Sequence, residues 1–418
     1  MMMNKKAGIY IHIPYCVSKC NYCAFLSKPI GKNDGSPDCF CSRGKTVDRG
    51  IKSEIDVYIN ALTKELKNRS QASKDTEFDT IYFGGGTPSI LDAKCYDKVL
   101  NGIFRSYMMS SDLEVSFEAN PATLGFERLR DYRSLGINRL SIGVQSFNDE
   151  ILKTLGRAHT SKQAIRDYNL ARKAGFDNIS MDLMFALPNT NLQNVIDDVN
   201  TMIRLEPEHI SFYSLQLEEG TKFFKDFEAG KLREISDELD REMYHVGSGI
   251  LESTGYSRYE ISNFARTGAG KDFRSRHNSK YWNMSQYVGA GLGASSFVFD
   301  SQIKGEKLSG YKRTQNFTCM EDYVQAVNSG NEPFEEIVLN TDKDNISEAV
   351  FTGFRRTEGV SFREIGEGTR SWFEEYFAAA MSEIERFQSE GFLTIDDESI
   401  RITPKGIDIS NKIMALFV

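Results

Sequence analysis

Strand-like and helix-like segments alternate without a break through the first half of this chain. Such alternation restricts it to parallel strands joined by helical crossovers. Short runs rich in β-branched and aromatic residues fall at 9–13, 80–83, 114–119, 139–144, 178–185 and 209–215. Between them, apolar residues recur at helical spacing over 57–66, 96–104, 124–135, 164–174 and 195–205. Six such units fit an α/β fold of the partial, TIM-like (β/α)6 barrel type better than a closed eight-stranded barrel. The strand count alone is also compatible with an open doubly wound sheet.

Polar residues sit where those strands end. Gly84, Gly85 and Gly86 follow the second run, Glu118 closes the third, Gln145 follows the fourth and Asp182 lies within the fifth. Active sites of parallel barrels gather at the carboxyl ends of the strands, so these positions predict one shared pocket. The alternative is that each residue merely caps the helix that follows.

The rest of the chain is less regular. Residues 27–50 are rich in Gly, Lys, Asp and Ser, contain Cys39 and Cys41, and predict an inserted loop. The chain turns helical and charged after 217, then aromatic and glycine-rich over 256–299. From 345 it predicts a compact α+β unit: an amphipathic helix over 373–387 and a hairpin pairing 392–395 with 400–402. The expected division is a barrel core over 1–220, an extension over 221–340 and a winged-helix-like C-terminal domain over 341–418. In that last unit acidic residues match or exceed basic ones, which favours a lid or packing role over DNA binding. The net charge of −8 supplies no basic field for nucleic acid. No apolar run approaches the roughly 20 residues of a membrane span, and no apolar signal-peptide core precedes residue 16. A cytoplasmic protein is expected.

Three of the seven cysteines, Cys16, Cys20 and Cys23, fall within eight residues directly after the first strand. In a reducing compartment, clustered thiols read as metal ligands. Thiolates are the usual ligands of iron–sulfur clusters. Three of them leave one iron of a [4Fe–4S] cluster open to chelate the amino and carboxylate groups of S-adenosylmethionine. A closed zinc site would need a fourth donor, for which His12, Cys39 and Cys41 are the nearest sources.

The run Cys16-Val-Ser-Lys-Cys20-Asn-Tyr22-Cys23 resembles the radical-SAM signature. Tyr10-Ile-His-Ile-Pro-Tyr-Cys16 resembles the oxygen-independent coproporphyrinogen III oxidase family and, within it, the haem-chaperone subfamily HemW. The likeness continues through Phe83-Gly-Gly-Gly-Thr-Pro-Ser89, Glu118-Ala-Asn-Pro121, Arg139-Leu-Ser-Ile-Gly-Val-Gln-Ser-Phe147, Leu155-Gly-Arg-Ala-His-Thr160, Asp182-Leu-Met-Phe-Ala-Leu-Pro188 and Tyr259-Glu-Ile-Ser-Asn-Phe-Ala265. It implies a radical-SAM barrel whose cluster is held by Cys16, Cys20 and Cys23. It also implies that Gly85, Gly86 and Thr87 meet the amino group of S-adenosylmethionine. Glu118, Gln145, Arg157 and Asp182 match further cofactor contacts, Tyr10 a residue near the sulfonium and Tyr22 one beside the adenine. The segment 273–282 resembles a haem-binding element. His277 would ligate iron, Tyr281 and Trp282 would lie along the macrocycle, and Arg274 or Arg276 would pair with propionates. The competing reading makes His277 a hydrogen-bonded structural residue, as expected for His159, His209 and His245.

Two departures bear on function. The oxidases carry a fourth cysteine two residues after the third, where this chain has Phe25. That favours the chaperone branch. Ser295 stands where the chaperones carry a histidine, which weakens a conventional haem site there. Cys39 and Cys41 read as an auxiliary ligand pair or as two plain loop thiols, and Cys95 and Cys319 as buried small apolar groups. The resemblance implies haem as cargo, haem-requiring client proteins as recipients, and an electron donor such as a flavodoxin or ferredoxin. The alternatives are an enzyme that oxidatively decarboxylates coproporphyrinogen III and, more remotely, a radical-SAM enzyme acting on another tetrapyrrole.

Overall fold

A computed structural model describes residues 6–30, 47–268, 270–305 and 308–417. Cys39 and Cys41 lie outside the described residues. Six parallel strands form the centre of one sheet: β1 (Ala7–Ile13), β2 (Glu77–Gly85), β3 (Met108–Ala119), β4 (Arg139–Gln145), β5 (Ile179–Phe185) and β6 (His209–Ser214). Each pairs with the next in sequence order. Helices α1 (Val47–Arg69), α2 (Ala93–Ser106), α3 (Phe126–Ser134), α4 (Ser161–Lys173) and α5 (Leu192–Leu205) carry the crossovers. All seven residues of β4 are buried, as a parallel strand covered on both faces requires. The partial (β/α)6 barrel is thus observed.

β2 outruns the expected segment. Its register pairs His12 with Gly84 and Ile13 with Gly85, so two of the three glycines belong to the strand and do not follow it. The sheet continues past the barrel on both edges. Beyond β6 lies antiparallel β7 (Asn263–Gly268), and α6 (Asp237–Ser253) precedes it. Beyond β1, β8 (Tyr287–Ala290) pairs in parallel, followed by antiparallel β9 (Ser295–Phe299), β10 (Leu308–Asn316) and β11 (Phe334–Thr341). The order of these edge strands was not visible as a pattern in 221–340.

The C-terminal part opens with a helix over Asp342–Gly353 and contains a three-stranded antiparallel sheet of Val360–Ser361, Ser399–Ile402 and Leu393–Ile395. The single amphipathic helix expected over 373–387 is two helices, Arg370–Tyr376 and Met381–Ser389. The break turns Phe377 inward against Phe373 and Phe417 at ring-centre distances of 4.9 and 5.1 Å. Among the described residues there are two large apolar cores, besides a small cluster of Leu155, Met184, Leu187 and Phe223. One fills the barrel; the other joins Phe297 and Tyr311 of the edge strands to Phe354, Phe373 and Ile400. Cys95 and Cys319 are only half-buried. Cys319 sits at the surface-facing start of a helix, where its thiol donates to Glu321. Among the described residues no helix is long and apolar enough to cross a membrane.

Candidate functional site

The cysteine loop leaves the carboxyl end of β1 and is fastened from both sides. Tyr15 and Cys16 run parallel to Lys28 and Pro29, with Ile30 N–H donating to the Cys16 carbonyl at 2.8 Å. Asn21 holds the loop to the far wall through its N–H on the Leu155 carbonyl and its side chain on the Thr154 carbonyl. His12 ties β1 to the loop's return, one ring nitrogen 2.9 Å from the Leu26 carbonyl and the other 3.1 Å from the Tyr10 hydroxyl.

This fastening places Cys16, Cys20 and Cys23 on the rim of one recess with Tyr22, Gly85, Gly86, Thr87, Glu118, Gln145, Arg157 and Asp182. All but one of the residues expected at cluster and cofactor are therefore gathered at one mouth of the barrel. Tyr10 is the exception. It packs beneath the recess, 6.2 Å from the Tyr82 ring, and does not line it. Its place on β1, well before the strand's carboxyl end, accounts for this.

The glycine turn differs from the expected open cradle of N–H and C=O groups. The N–H groups of Gly86 and Thr87 donate to the carbonyls of Ile13 and Tyr15 at 2.8 and 2.7 Å. That of Gly85 donates to Glu118 at 3.2 Å. These donors are spent, so this turn suits a ligand that itself donates, as an ammonium does. The close approach demands glycine. A Cβ on Gly86 would stand 2.6 Å from the Tyr15 carbonyl oxygen, and one on Gly85, at φ +106°, 2.5 Å from the His12 ring.

Asn120, Ser141, Gly143 and Tyr213 are among the lining residues that the sequence reading did not assign to the site. Asn120 donates to the Thr87 hydroxyl and accepts from Arg157, each at 2.8 Å. Thr87 in turn donates to the Cys16 sulfur at 3.4 Å. Tyr213 donates to the Gln145 amide oxygen at 2.9 Å. Gln145 adopts φ +71°, a left-handed conformation rare outside glycine. The strand-end rule that found Glu118 would have found Tyr213, near the end of the sixth strand.

Burial dominates the electrostatics of the recess. Burial pushes the Glu118 carboxyl up to about 7, with the Asp182 charge adding to it while Tyr82 and Gly85 hydrogen bonds oppose. Burial likewise pushes Asp182 up to about 6 against Ser211, Arg139 and Arg157. The Cys16 and Cys23 thiols are raised, by burial first, Cys23 to about 11. Arg157 approaches the Cys20 sulfur at 3.6 Å, and its Nε is buried without a hydrogen-bond partner.

The donor set fits an iron–sulfur cluster with a zwitterionic cofactor. Three soft sulfurs share one recess with an unsatisfied guanidinium donor and two buried acids. Among the described residues no three His, Cys, Asp or Glu side chains converge on a single ion. Cys16, Cys20 and Cys23 are the residues that would hold the cluster.

The 277–282 element lies elsewhere. Lys280 bonds the Lys6 carbonyl and Asp79, which places this helix, α7 (Arg276–Trp282), at the amino ends of β1 and β2. His277 is fully buried, with one ring nitrogen 2.8 Å from the Thr80 hydroxyl and the other 3.0 Å from that of Tyr281. Burial holds its pKa down at about 3. Neither nitrogen is open to iron in this geometry, which favours the structural reading. Arg274 and Arg276 are paired with Asp272 and Asp112, each at 2.6 Å. His159, His209 and His245 are each hydrogen-bonded within the fold.

Comparison with known proteins agrees with this architecture. Residues 10–202 match the radical SAM superfamily, and residues 340–409 the HemN C-terminal domain. The haem chaperone HemW of Bacillus subtilis is 32% identical over 98% of this chain and 98% of its own length. HemW of Escherichia coli is 35% identical over 70% of each. A mitochondrial radical S-adenosyl methionine domain-containing protein 1 of Danio rerio is 30% identical over 98% of this chain and 86% of that protein. In fold, coproporphyrinogen III oxidase (HemN) of Escherichia coli superposes with a TM-score of 0.78 at 21% identity, covering 100% of this chain and 91% of that one. With full-length identity at this level, the chain belongs to the HemW-like family of the radical SAM superfamily.

Proposed function

We propose that this chain is a cytoplasmic haem chaperone. In this reading it holds a [4Fe–4S] cluster on Cys16, Cys20 and Cys23, binds S-adenosylmethionine in the adjoining recess, and passes haem to client proteins. The cluster, when bound, supplies an open iron to chelate the cofactor and an electron for its sulfonium, drawn from a flavodoxin- or ferredoxin-like donor. The chain's own residues do the rest. The carbonyls of the Gly85–Gly86 turn and the carboxylates of Glu118 and Asp182 accept from the cofactor's ammonium and ribose. Arg157 meets its carboxylate, and Gln145, held by Tyr213, closes the wall. Tyr22 lines the same recess as the stacking surface for the adenine.

One observation carries the chaperone reading: Phe25 stands where the oxidases have a fourth cysteine, beside an otherwise complete recess. Phe25 is 68% exposed at the mouth. The division into core 1–220, extension 221–340 and C-terminal unit 341–418 belongs to the same proposal. The test is a pair of anaerobic experiments on the reconstituted protein. Haem titration should give a saturable Soret change, and coproporphyrinogen with reductant and S-adenosylmethionine should yield no protoporphyrinogen. The opposite pair of results overturns the reading in favour of the oxidase.

A further inference from the structure

Tyr58 and Glu65 lie on one face of α1. Both are fully buried polar side chains, and neither lines the cysteine recess. Each reaches across to the turn between β8 and β9. Glu65 accepts from the Gly291 N–H at 2.8 Å, from Asn316 at 2.8 Å, from Tyr323 at 2.7 Å and from Arg69 at 3.4 Å. Asn316 also donates to the Gly291 carbonyl at 2.8 Å. Tyr58 accepts from the Leu292 N–H at 3.1 Å and donates to the His12 carbonyl at 2.6 Å. A buried carboxyl group met by four donors is held in one place. The turn is therefore fixed to α1 and, through Tyr58, to the carboxyl end of β1. Gly291, at φ +99°, permits the meeting: a Cβ there would stand 2.4 Å from the Tyr58 hydroxyl and 2.8 Å from the His12 carbonyl oxygen.

From this joint two contacts run to the recess. The His12 ring lies 2.9 Å from the Leu26 carbonyl, on the return of the cysteine loop. The same ring backs the glycine turn, since a Cβ on Gly85 would fall 2.5 Å from it. The second contact is steric. Gly293 presses on the loop's return, where an added Cβ would stand 2.7 Å from Leu26 Cδ2. The cysteine loop and the glycine turn thus both rest on His12, and Tyr58 holds the His12 backbone.

Resting on the cluster-and-cofactor reading, we infer that Tyr58 is a positioning residue for the recess. Acting through the His12 peptide, it sets the spacing between the cysteine loop and the glycine turn that faces the cofactor's ammonium. It lines neither wall itself.

The test compares Tyr58→Phe with Tyr107→Phe in the full, anaerobically reconstituted chain. Tyr107 is buried, and its hydroxyl donates to the Leu66 carbonyl of the same helix at 2.8 Å. Leu66 lies about 12 Å along α1 from Tyr58, so this variant loses a comparable bond away from the recess. Both variants should keep about four irons per chain. In Tyr58→Phe the dissociation constant of S-adenosylmethionine, read by calorimetry, should rise at least about fivefold. The cofactor-induced shift of the reduced EPR signal should shrink at equal saturation. Tyr107→Phe should match the parent in both readouts. Gly293→Ala disturbs the same joint from the loop side and should also weaken the cofactor, and adding Leu26→Ala should recover most of the affinity. That pair decides the matter if Tyr58→Phe does not fold; no recovery then overturns the inference. Equal affinity and EPR shift in Tyr58→Phe and the parent, or equal losses in the two tyrosine variants, overturn it while the cluster reading stands. A parent chain that takes up no cluster overturns that reading as well.

Discussion

Arg157 and Cys20 are the contact through which the barrel wall meets the cysteine loop: a guanidinium nitrogen lies 3.6 Å from the thiol sulfur. The other terminal nitrogen donates to Asn120, which holds Thr87, which holds Cys16. One chain of hydrogen bonds thus orients two of the three thiols. Replacing Arg157 by Gln removes the charge and keeps part of the bonding. A charge-assisted hydrogen bond contributes about 1.5–3 kcal/mol, so S-adenosylmethionine affinity should fall at least about tenfold. Anaerobic calorimetry on the reconstituted protein measures this; unchanged affinity would remove Arg157 from the cofactor site.

Glu118 and Asp182 make stability depend on pH. Folding raises both carboxyls above their ordinary values of 4.5 and 3.8, to about 7 and about 6. The folded state therefore binds more protons than the unfolded chain. This contribution is fully present below the unfolded values and is lost as pH rises through about 7. The cofactor-free protein should melt at a lower temperature as pH is raised across this window. Glu118→Gln should remove a loss on the order of 3 kcal/mol. An identical pH slope in the variant would refute the assignment.

The glycine turn gives a steric prediction. A Cβ on Gly86 meets only backbone atoms of Ile13 and Tyr15, under 3.0 Å away, and these cannot swing aside. Gly86→Ala should cost about 1–3 kcal/mol and reduce iron uptake on reconstitution. At Gly125 a Cβ meets nothing within 4 Å. Gly125→Ala should keep normal iron content and serves as the control.

The barrel was legible because period and turn chemistry act locally: the runs from 9–13 to 209–215 each fall within an observed strand or overlap one closely. Strand-end polarity likewise exposed Glu118, Gln145 and Asp182. What remained hidden depends on contacts distant in sequence. Tyr10 drops below the recess because Tyr82 stacks on it across β1 and β2. His277 is closed by Thr80, 197 residues away.

The Thr80–His277–Tyr281 triad predicts that His277 supports the fold. His277→Ala would leave the Thr80 and Tyr281 hydroxyls without this partner, and the ring's stacking on Tyr82 at 5.1 Å is lost. A loss of about 2–4 kcal/mol in unfolding free energy is expected from the unmet bonds and lost packing. At temperatures where the variant is folded, its Soret titration should match the parent. A selective loss of haem binding without destabilisation would place the haem at α7.

Iron content and EPR of the anaerobically reconstituted protein test the central claim most directly. The account predicts about four irons per chain and a reduced [4Fe–4S] signal that shifts when S-adenosylmethionine is added. Both should vanish in the Cys16→Ser/Cys20→Ser/Cys23→Ser chain and survive in Cys39→Ser/Cys41→Ser. Iron and signal persisting after loss of the first three thiols, or depending instead on the second pair, would contradict it.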